Sequence, residues 1–109
     1  MAKKGFRKYK NEKTQVDGVW FDSKREARRY GELKLLERAG EIRNLRLQVV
    51  YDLVVYGRLV CRYRADFVYE DRRLGWAEVV EDAKGCRTEA YIIKRKLMLA
   101  VHGITIREV

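Results

Sequence analysis

Three charged residues near the middle of the chain have types and spacing suited to phosphodiester chemistry. Asp66 lies in a segment rich in β-branched and aromatic residues, and Asp82 and Lys84 lie in a second such segment. Side chains alternate across a strand, so Asp82 and Lys84 share a face, and the 16-residue spacing of the two acids suits a hairpin that sets them side by side. Two carboxylates can hold a hard divalent cation such as Mg²⁺, and an adjacent ammonium can stabilise developing negative charge.

Each of these charges also has a structural explanation that the residues alone leave open. Arg64 shares the predicted face of Asp66 and offers it an ion pair. Lys84 offers the same to Asp82 at the solvated end of a strand. Glu81 points to the opposite face, so we do not expect it to be a metal ligand.

A helix that precedes these strands carries a third acid. The sequence predicts Ser23 as the N-cap of this helix and Gly40 as the residue just beyond its C-terminal end. Its apolar stripe consists of Ala27, Tyr30, Leu33, Leu36 and Ala39. Glu26 follows Ser23 by three residues, which a capping box explains. Glu26 joins the acidic cluster only if the helix N-terminus faces the strands.

The other segments predict strands around one more helix. Strands are expected over 42–53, from a turn near Gly57 through Asp66, over 76–84 and over 104–109. In the first, an apolar face is predicted to consist of Leu45, Leu47, Val49 and Tyr51. A helix with Thr88 as N-cap is expected over 89–101. After a small hairpin around Asp17-Gly18, the order is α-β-β-β-α-β, so we expect one α/β domain over 14–109 with a mixed central sheet flanked by helices.

The charge balance indicates a polyanionic partner. The 109 residues include 25 Lys and Arg against 16 Asp and Glu, a formal net charge of +9. Residues 1–13 are strongly basic, and we expect them to form a flexible arm. The polar faces of the two helices are basic as well, at Lys24, Arg25, Arg28, Arg29 and Lys34 in the first and at Lys94, Arg95 and Lys96 in the second.

Membrane and secreted classes do not fit the sequence. No apolar run is long enough to cross a bilayer, and no signal-peptide pattern opens the chain. Cys61 and Cys86 are not spaced as metal ligands, and we expect both to be reduced thiols. We therefore expect a cytoplasmic protein whose partner is nucleic acid rather than a membrane.

Three segments together resemble the PD-(D/E)XK nuclease superfamily, which includes restriction endonucleases and archaeal-type Holliday-junction resolvases. They are FDSKREARRY at 21–30, RADFVY at 64–69 and VEDAKG at 80–85, and they are most similar to a family of small phage-associated nucleases. The resemblance covers residues 16–109 and implies a restriction-endonuclease-like α/β core. Ala65 stands where the superfamily's name has proline, and Asp82 is an allowed variant of glutamate.

The resemblance implies a role for each candidate residue. Asp66 and Asp82 would be metal ligands with the Ala83 carbonyl, and Glu26 would complete the site. Lys84 would position or activate the attacking water. The cofactor would be Mg²⁺, with Mn²⁺ able to substitute. DNA contacts would come from the basic helix faces, at Lys24, Arg25, Arg28, Arg29, Lys94 and Lys96.

The implied activity is metal-dependent cleavage of DNA by in-line attack on phosphorus, leaving a 5′-phosphate. The expected substrate is branched DNA of the Holliday-junction kind, and two coordinated cuts in a junction would require a homodimer. Two alternatives stay open. One is another nuclease of the same superfamily with a nicking, repair or restriction-like activity. The other is a non-catalytic nucleic-acid-binding module whose acids are structural.

Overall fold

The computed structural model describes residues 13–109, which contain two α-helices, one short 3-10 helix (Arg72–Leu74) and six strands. The α-helices are α1 (Lys24–Arg38) and α2 (Glu89–His102). The strands are β1 (Thr14–Val16), β2 (Val19–Phe21), β3 (Ile42–Val55), β4 (Arg58–Asp71), β5 (Ala77–Asp82) and β6 (Arg107–Glu108). The predicted basic arm over 1–13 lies outside the described residues except for Lys13. Within the described residues, no helix is long and apolar enough to span a lipid bilayer.

Four strands form a mixed sheet in the order β3-β4-β5-β6. The first three are antiparallel neighbours, whereas β6 runs parallel to β5 and follows it through α2. β1 and β2 form a separate hairpin. The predicted element order and mixed sheet are confirmed. β5 ends at Asp82 rather than at residue 84, and β6 is shorter than the predicted strand over 104–109.

Local sequence signals begin and end both helices as predicted. The hydroxyls of Ser23 and Thr88 each accept a hydrogen bond from the backbone N–H three residues further on, both at 3.1 Å. Gly40 follows α1 with φ of 76°, and Gly103 follows α2 with φ of 69°. An L side chain would be strained in that conformation, so glycine is the natural residue at both ends.

The sheet separates two hydrophobic clusters. Val79 belongs to the first and Val80 to the second, and because adjacent strand residues point to opposite faces, each cluster lies on one face. The first cluster, on the α1 side, buries Phe21, Ala27, Tyr30, Leu33, Ile42, Phe67, Tyr69 and Val79. The second, on the α2 side, buries Leu53, Tyr63, Ala65, Val68, Val80, Tyr91, Met98 and Ile106.

β3 changes sides at one residue. Leu45 and Leu47 pack against the first cluster, whereas Val49 and Tyr51 pack against the second. Between them, Gln48 has φ of 55°, a left-handed conformation that interrupts the regular alternation of a strand. The prediction that these four apolar residues share one face is therefore wrong.

β4 makes the same change directly opposite. Gln48 and Asp66 are cross-strand neighbours, because the residues on either side of them are paired in register. In β4, Ala65 belongs to the second cluster and Phe67 to the first. Both strands thus exchange faces at the Gln48–Asp66 pair.

The hairpin of β3 and β4 extends beyond the rest of the sheet. β5 pairs with β4 only over residues 67–71, so residues 49–64 project as a two-stranded ribbon, which we call the hairpin arm. Tyr56 and Gly57 turn the arm with φ of 51° and 74°, as in a type I′ turn, which confirms the predicted turn near Gly57. One face of the arm packs against α2 through the second cluster.

Candidate active site

A pocket of about 920 Å³ opens at the end of β5, beside the first turns of both helices. Its wall comes from four parts of the chain, within residues 22–26, 63–66, 82–86 and 88–94. It contains all four residues predicted to be catalytic, namely Glu26, Asp66, Asp82 and Lys84. Residues distant in sequence therefore meet in one cavity.

The carboxyl groups of Glu26, Asp66 and Asp82 are neighbours in this pocket. The β4–β5 ladder pairs Phe67 with Glu81, so Asp66 and Asp82 follow as the next opposed positions, as the hairpin spacing predicts. The first turn of α1 adds Glu26, whose carboxyl group interacts with that of Asp66. Glu26 is 8% exposed and Asp82 is 3% exposed, so the acids are largely shielded from water.

Burial and mutual repulsion increase the proton affinity of this cluster. Burial raises the pKa of Asp66 to about 8, the charges of Asp82 and Glu26 add to the effect, and the Ala83 N–H opposes it. Burial also raises the pKa of Glu26, against the lowering effect of its contacts with Asp66 and Gln48. Such a cluster retains a proton at neutral pH and would be stabilised by a cation.

Two contacts hold the aspartates in place. Asp66 Oδ2 accepts a hydrogen bond from the backbone N–H of Ala83 at 2.8 Å, which ties β4 to the segment after β5. Asp82 accepts one from the buried hydroxyl of Tyr63, and burial raises the pKa of Tyr63 well above its ordinary value. The role of Tyr63 is not predicted from the sequence, because an aromatic residue in a strand is ordinary core composition.

Glu26 is directed into the pocket. Its backbone N–H donates to Ser23, as the N-cap prediction requires, whereas its Oε2 accepts a hydrogen bond from Gln48 Nε2 at 2.8 Å. The capping contact thus uses the Glu26 backbone and leaves the carboxylate to the pocket. The sequence does not single out Gln48. Its side chain makes this contact, and its backbone has the left-handed conformation described above, a kind of strain that clusters at functional sites.

Lys84 lies between an aspartate and an aromatic ring. Its Nζ is 3.3 Å from Asp82 Oδ1 and 4.3 Å from the ring centroid of Tyr91. The Tyr91 hydroxyl donates to Glu108 Oε2 at 2.7 Å. The backbone N–H of Lys84 donates to the carbonyl of Val109 at 3.3 Å. Glu108 of β6 and Val109, which follows it, therefore hold Tyr91 and Lys84 in position.

Glu81 lies on the other face of the sheet, as expected, and is fully buried. Arg29 donates to its two carboxylate oxygens at 2.9 and 2.7 Å, and the Tyr69 hydroxyl donates to it as well. Arg29 also donates to Glu32 at 2.9 Å. The guanidinium that the sequence places among the DNA contacts thus has two intramolecular partners.

Several basic side chains surround the acids. Besides Lys84, the basic residues of the pocket wall are Lys24, Arg25, Arg64 and Lys94. Three of these are predicted DNA contacts, whereas two others, Arg28 and Lys96, are exposed and lie outside the wall. Among the contacts of the described residues, no ion pair joins Arg64 to Asp66, so pairing with Arg64 does not explain Asp66. The ion pair that offers a structural explanation of Asp82 is present, with Lys84 Nζ 3.3 Å from Asp82 Oδ1.

The donor chemistry of the pocket suits a hard divalent cation. Carboxylates from Glu26, Asp66 and Asp82, with the nearby Ala83 carbonyl, are the oxygen ligands that Mg²⁺ prefers. Within residues 13–109, no group of three or more Asp, Glu, His or Cys side chains is already arranged to hold a metal ion. The carboxylates are instead hydrogen-bonded to protein donors. The ligand types therefore fit the cation, and the side chains must turn toward a common point to bind it.

Comparison with known proteins identifies the family of the chain. No curated protein and no solved structure matches it. A family model described as "Protein of unknown function (DUF1064)" matches residues 6–103, which is most of the chain. The chain therefore belongs to the DUF1064 family.

Proposed function

We propose that this chain is a magnesium-dependent DNA endonuclease of the PD-(D/E)XK type, acting on Holliday junctions as a homodimer. The observation that supports this most is the meeting of three carboxylates and Lys84 in one pocket with a basic wall. The element order around the pocket, α1-β3-β4-β5-α2-β6, is compatible with a restriction-endonuclease-like core.

The distribution of charge favours a nucleic acid as the substrate. Glu26 and Asp82 are buried and Asp66 is half-buried, whereas Lys24, Arg25 and Arg64 of the same wall are exposed. Exposed cations attract phosphates, and shielded carboxylates retain a cation close to them. A net charge of +9 acts in the same direction over longer distances.

The chain's own residues have distinct tasks in this proposal. Bound Mg²⁺, for which Mn²⁺ would substitute, would be held by Glu26, Asp66, Asp82 and the Ala83 carbonyl and would supply Lewis-acid stabilisation of the phosphate. Lys84, held against Asp82 and an aromatic ring, is placed to donate a hydrogen bond to the attacking water or to a phosphate oxygen as negative charge develops.

Two further side chains orient the acids. The Tyr63 hydroxyl fixes one oxygen of Asp82, and Gln48 fixes one oxygen of Glu26. Orientation by fixed donors reduces the number of conformations that the carboxylates sample before cleavage. The described residues of one chain form one pocket of this kind, so paired cuts in a junction need two copies.

The test is cleavage of a synthetic four-way junction beside linear duplex of the same sequence, in Mg²⁺ and in EDTA. The variants are Asp82→Asn and, as a control, Glu78→Gln, an exposed acid of the same strand that pairs with Arg46 at 2.7 Å. We expect Asp82→Asn to lower the cleavage rate by roughly 100- to 1000-fold, because it removes a charge from the reacting centre. The control should cut at the wild-type rate, and EDTA should abolish cleavage.

Each outcome separates the proposal from its alternatives. Paired symmetric cuts in the junction alone support a resolvase. Equal cutting of linear duplex would leave a nuclease of another specificity. Binding without cutting under every condition would contradict catalysis and favour a nucleic-acid-binding module.

A further inference from the structure

Exposed apolar side chains concentrate on the hairpin arm. Of the eleven large hydrophobic side chains that are exposed within residues 13–109, six lie in this arm. They are Val50, Val54, Val55, Tyr56, Leu59 and Val60. Tyr56 is 100% exposed and Val60 is 57% exposed. Single exposed apolar residues are common, whereas a group of this kind on one projection marks an interaction surface.

The fold leaves one side of the arm without cover from the described elements. α2 packs on one face through the second cluster, and β5 ends its pairing with β4 at Phe67. β3 is also an edge strand of the described sheet. Its outer part has high strand propensity and carries a single acid, Asp52. A surface with these properties tends to associate in solution.

We propose that the hairpin arm is the docking surface for a second copy of this chain, with two arms packed about a two-fold axis. The proposal rests on the proposed function in one respect, since paired cuts need two pockets. A two-fold contact brings the same patch together with itself, so the patch must contain complementary groups. The arm meets this condition, because Asp52 and Arg62 lie 2.9 Å apart on it and are 59% and 62% exposed.

The composition of the arm favours a second copy over a nucleic acid. Phosphates would find partners in Arg58, Arg62 and Arg64, but the six exposed apolar side chains would face charged backbone. If the apolar side chains pack against the same side chains of a second arm, their surface is removed from water. This removal is the main driving force of association. Arg58, Arg62 and Asp52 then form the polar rim that such contacts have.

The arm supplies enough area and does not obstruct the pocket. A standard interface takes about 800 Å² per partner, roughly a tenth of a small protein's surface, and the accessible surface here is 7558 Å². The arm spans 16 of 109 residues, most of them exposed. Its base is the Gln48–Asp66 pair, and Tyr63 and Arg64 next to that pair belong to the pocket wall. Five of the six apolar side chains, from Val54 to Val60, lie nearer the tip. Docking through these five therefore leaves both pockets open.

The test is sedimentation velocity of the full chain without DNA, in EDTA, over a wide range of protein concentration. Val60→Glu places a charge in the apolar patch. Tyr56→Asp does the same at the turn, where φ of 51° suits aspartate, so the hairpin is not disturbed. Leu35→Glu is the matched control, because Leu35 is 64% exposed on α1. All three variants lower the net charge equally, so electrostatic repulsion between copies changes equally.

We expect a reversible dimer for the wild type and for Leu35→Glu. Val60→Glu and Tyr56→Asp should each raise the dimer dissociation constant by roughly 10- to 100-fold, the usual cost of disrupting a central interface position. A wild type that stays monomeric at every concentration would overturn the proposal. Dimers of unchanged affinity in both arm variants would overturn it too.

Cleavage assays keep this result separate from the proposed function. If Val60→Glu still nicks junctions but no longer makes paired cuts, the arm proposal is supported at the level of activity. If no protein cuts DNA and Val60→Glu still dissociates the dimer, the arm proposal stands and the nuclease proposal fails. If the wild type cuts DNA but sediments as a monomer, the nuclease activity stands and the arm proposal fails.

Discussion

At the scale of the residue, Asp66 combines burial with two acidic neighbours. Its pKa of about 8 exceeds the ordinary value of 3.8, and burial is the largest cause. The folded chain therefore retains a proton that the unfolded chain releases. For such a group, the contribution to the free energy of unfolding is fully present below the ordinary pKa and is lost as the pH rises through the folded value.

Asp66→Asn should make the stability of the cation-free protein less dependent on pH. Above pH 8 the wild type carries a buried charge that asparagine lacks, so we expect the variant to unfold at the higher temperature. Toward pH 5 the difference should shrink, because Asp66 is then neutral. Thermal unfolding in EDTA across this range measures the effect. Asp52→Asn, at a 59% exposed position, is the control, and an equal shift at every pH for Asp66→Asn would refute the expectation.

The unusual position of an acid in a buried strand also explains which site residues the sequence reveals. Asp66 and Asp82 stand out because acids are disfavoured in strands that should be buried. Tyr63 and Gln48 do not stand out, because a tyrosine or a polar residue is common in such strands. Their contacts depend on which strands become neighbours. Pairing predicted from hairpin spacing brings Asp66 to Asp82, but it does not bring Gln48 to Glu26.

At the scale of the element, the ion pair of Arg29 and Glu81 joins α1 to β5. Glu81 is fully buried, and its partner supplies two of its hydrogen bonds. A buried carboxylate that loses its cation is strongly destabilising. This contact therefore fixes the helix that carries Glu26 to the strand that carries Asp82.

Arg29→Met should lower the free energy of unfolding by about 3 kcal/mol, because Glu81 would remain buried without its main partner. Lys34→Met, which breaks a half-exposed pair of 3.0 Å with Glu37 on the same helix, should lower the free energy of unfolding far less, because exposed ion pairs contribute little to stability. Urea denaturation measures both values. Similar decreases in the free energy of unfolding in the two variants would show that the Arg29–Glu81 pair contributes no more to stability than an exposed pair.

The elements themselves follow from sequence better than their faces do. Capping residues and glycines begin and end α1 and α2 where the sequence predicts, because those signals act within a few residues. The face of β3 is mispredicted because its polarity alternates through Gln48 without interruption. A left-handed glutamine has no compositional mark, unlike Gly57 at the arm turn, and it is imposed by the tertiary structure.

At the scale of the whole molecule, basic residues are not equivalent. Lys94 lies in the pocket wall, whereas Arg73 is exposed in the turn that follows β4, at the end of the strand remote from the arm. Both contribute one charge to the total of +9. Only the position distinguishes them.

Lys94→Gln should reduce the salt dependence of duplex binding, whereas Arg73→Gln should not. Each phosphate contact contributes about 0.9 to the slope of log affinity against log salt, so we expect a slope smaller by about 0.9 for the first variant. Fluorescence anisotropy in EDTA, across a range of salt concentrations, gives the slopes. Identical slopes would mean that net charge, and not the pocket wall, binds DNA.

The exchange of faces at Gln48 and Asp66 divides the β3–β4 hairpin into two parts. The geometry of the pocket constrains the length of one part and not of the other. On the pocket side, the strands must keep their register with β5, because Asp66 has to stand opposite Asp82. On the arm side, the alternation of side chains between the two faces begins again at the Gln48–Asp66 pair. Lengthening or shortening both strands of the arm near its tip by the same even number of residues would move Tyr56 and leave the carboxylates of Glu26, Asp66 and Asp82 where they are. The reach of the arm can therefore change independently of the chemistry at its base.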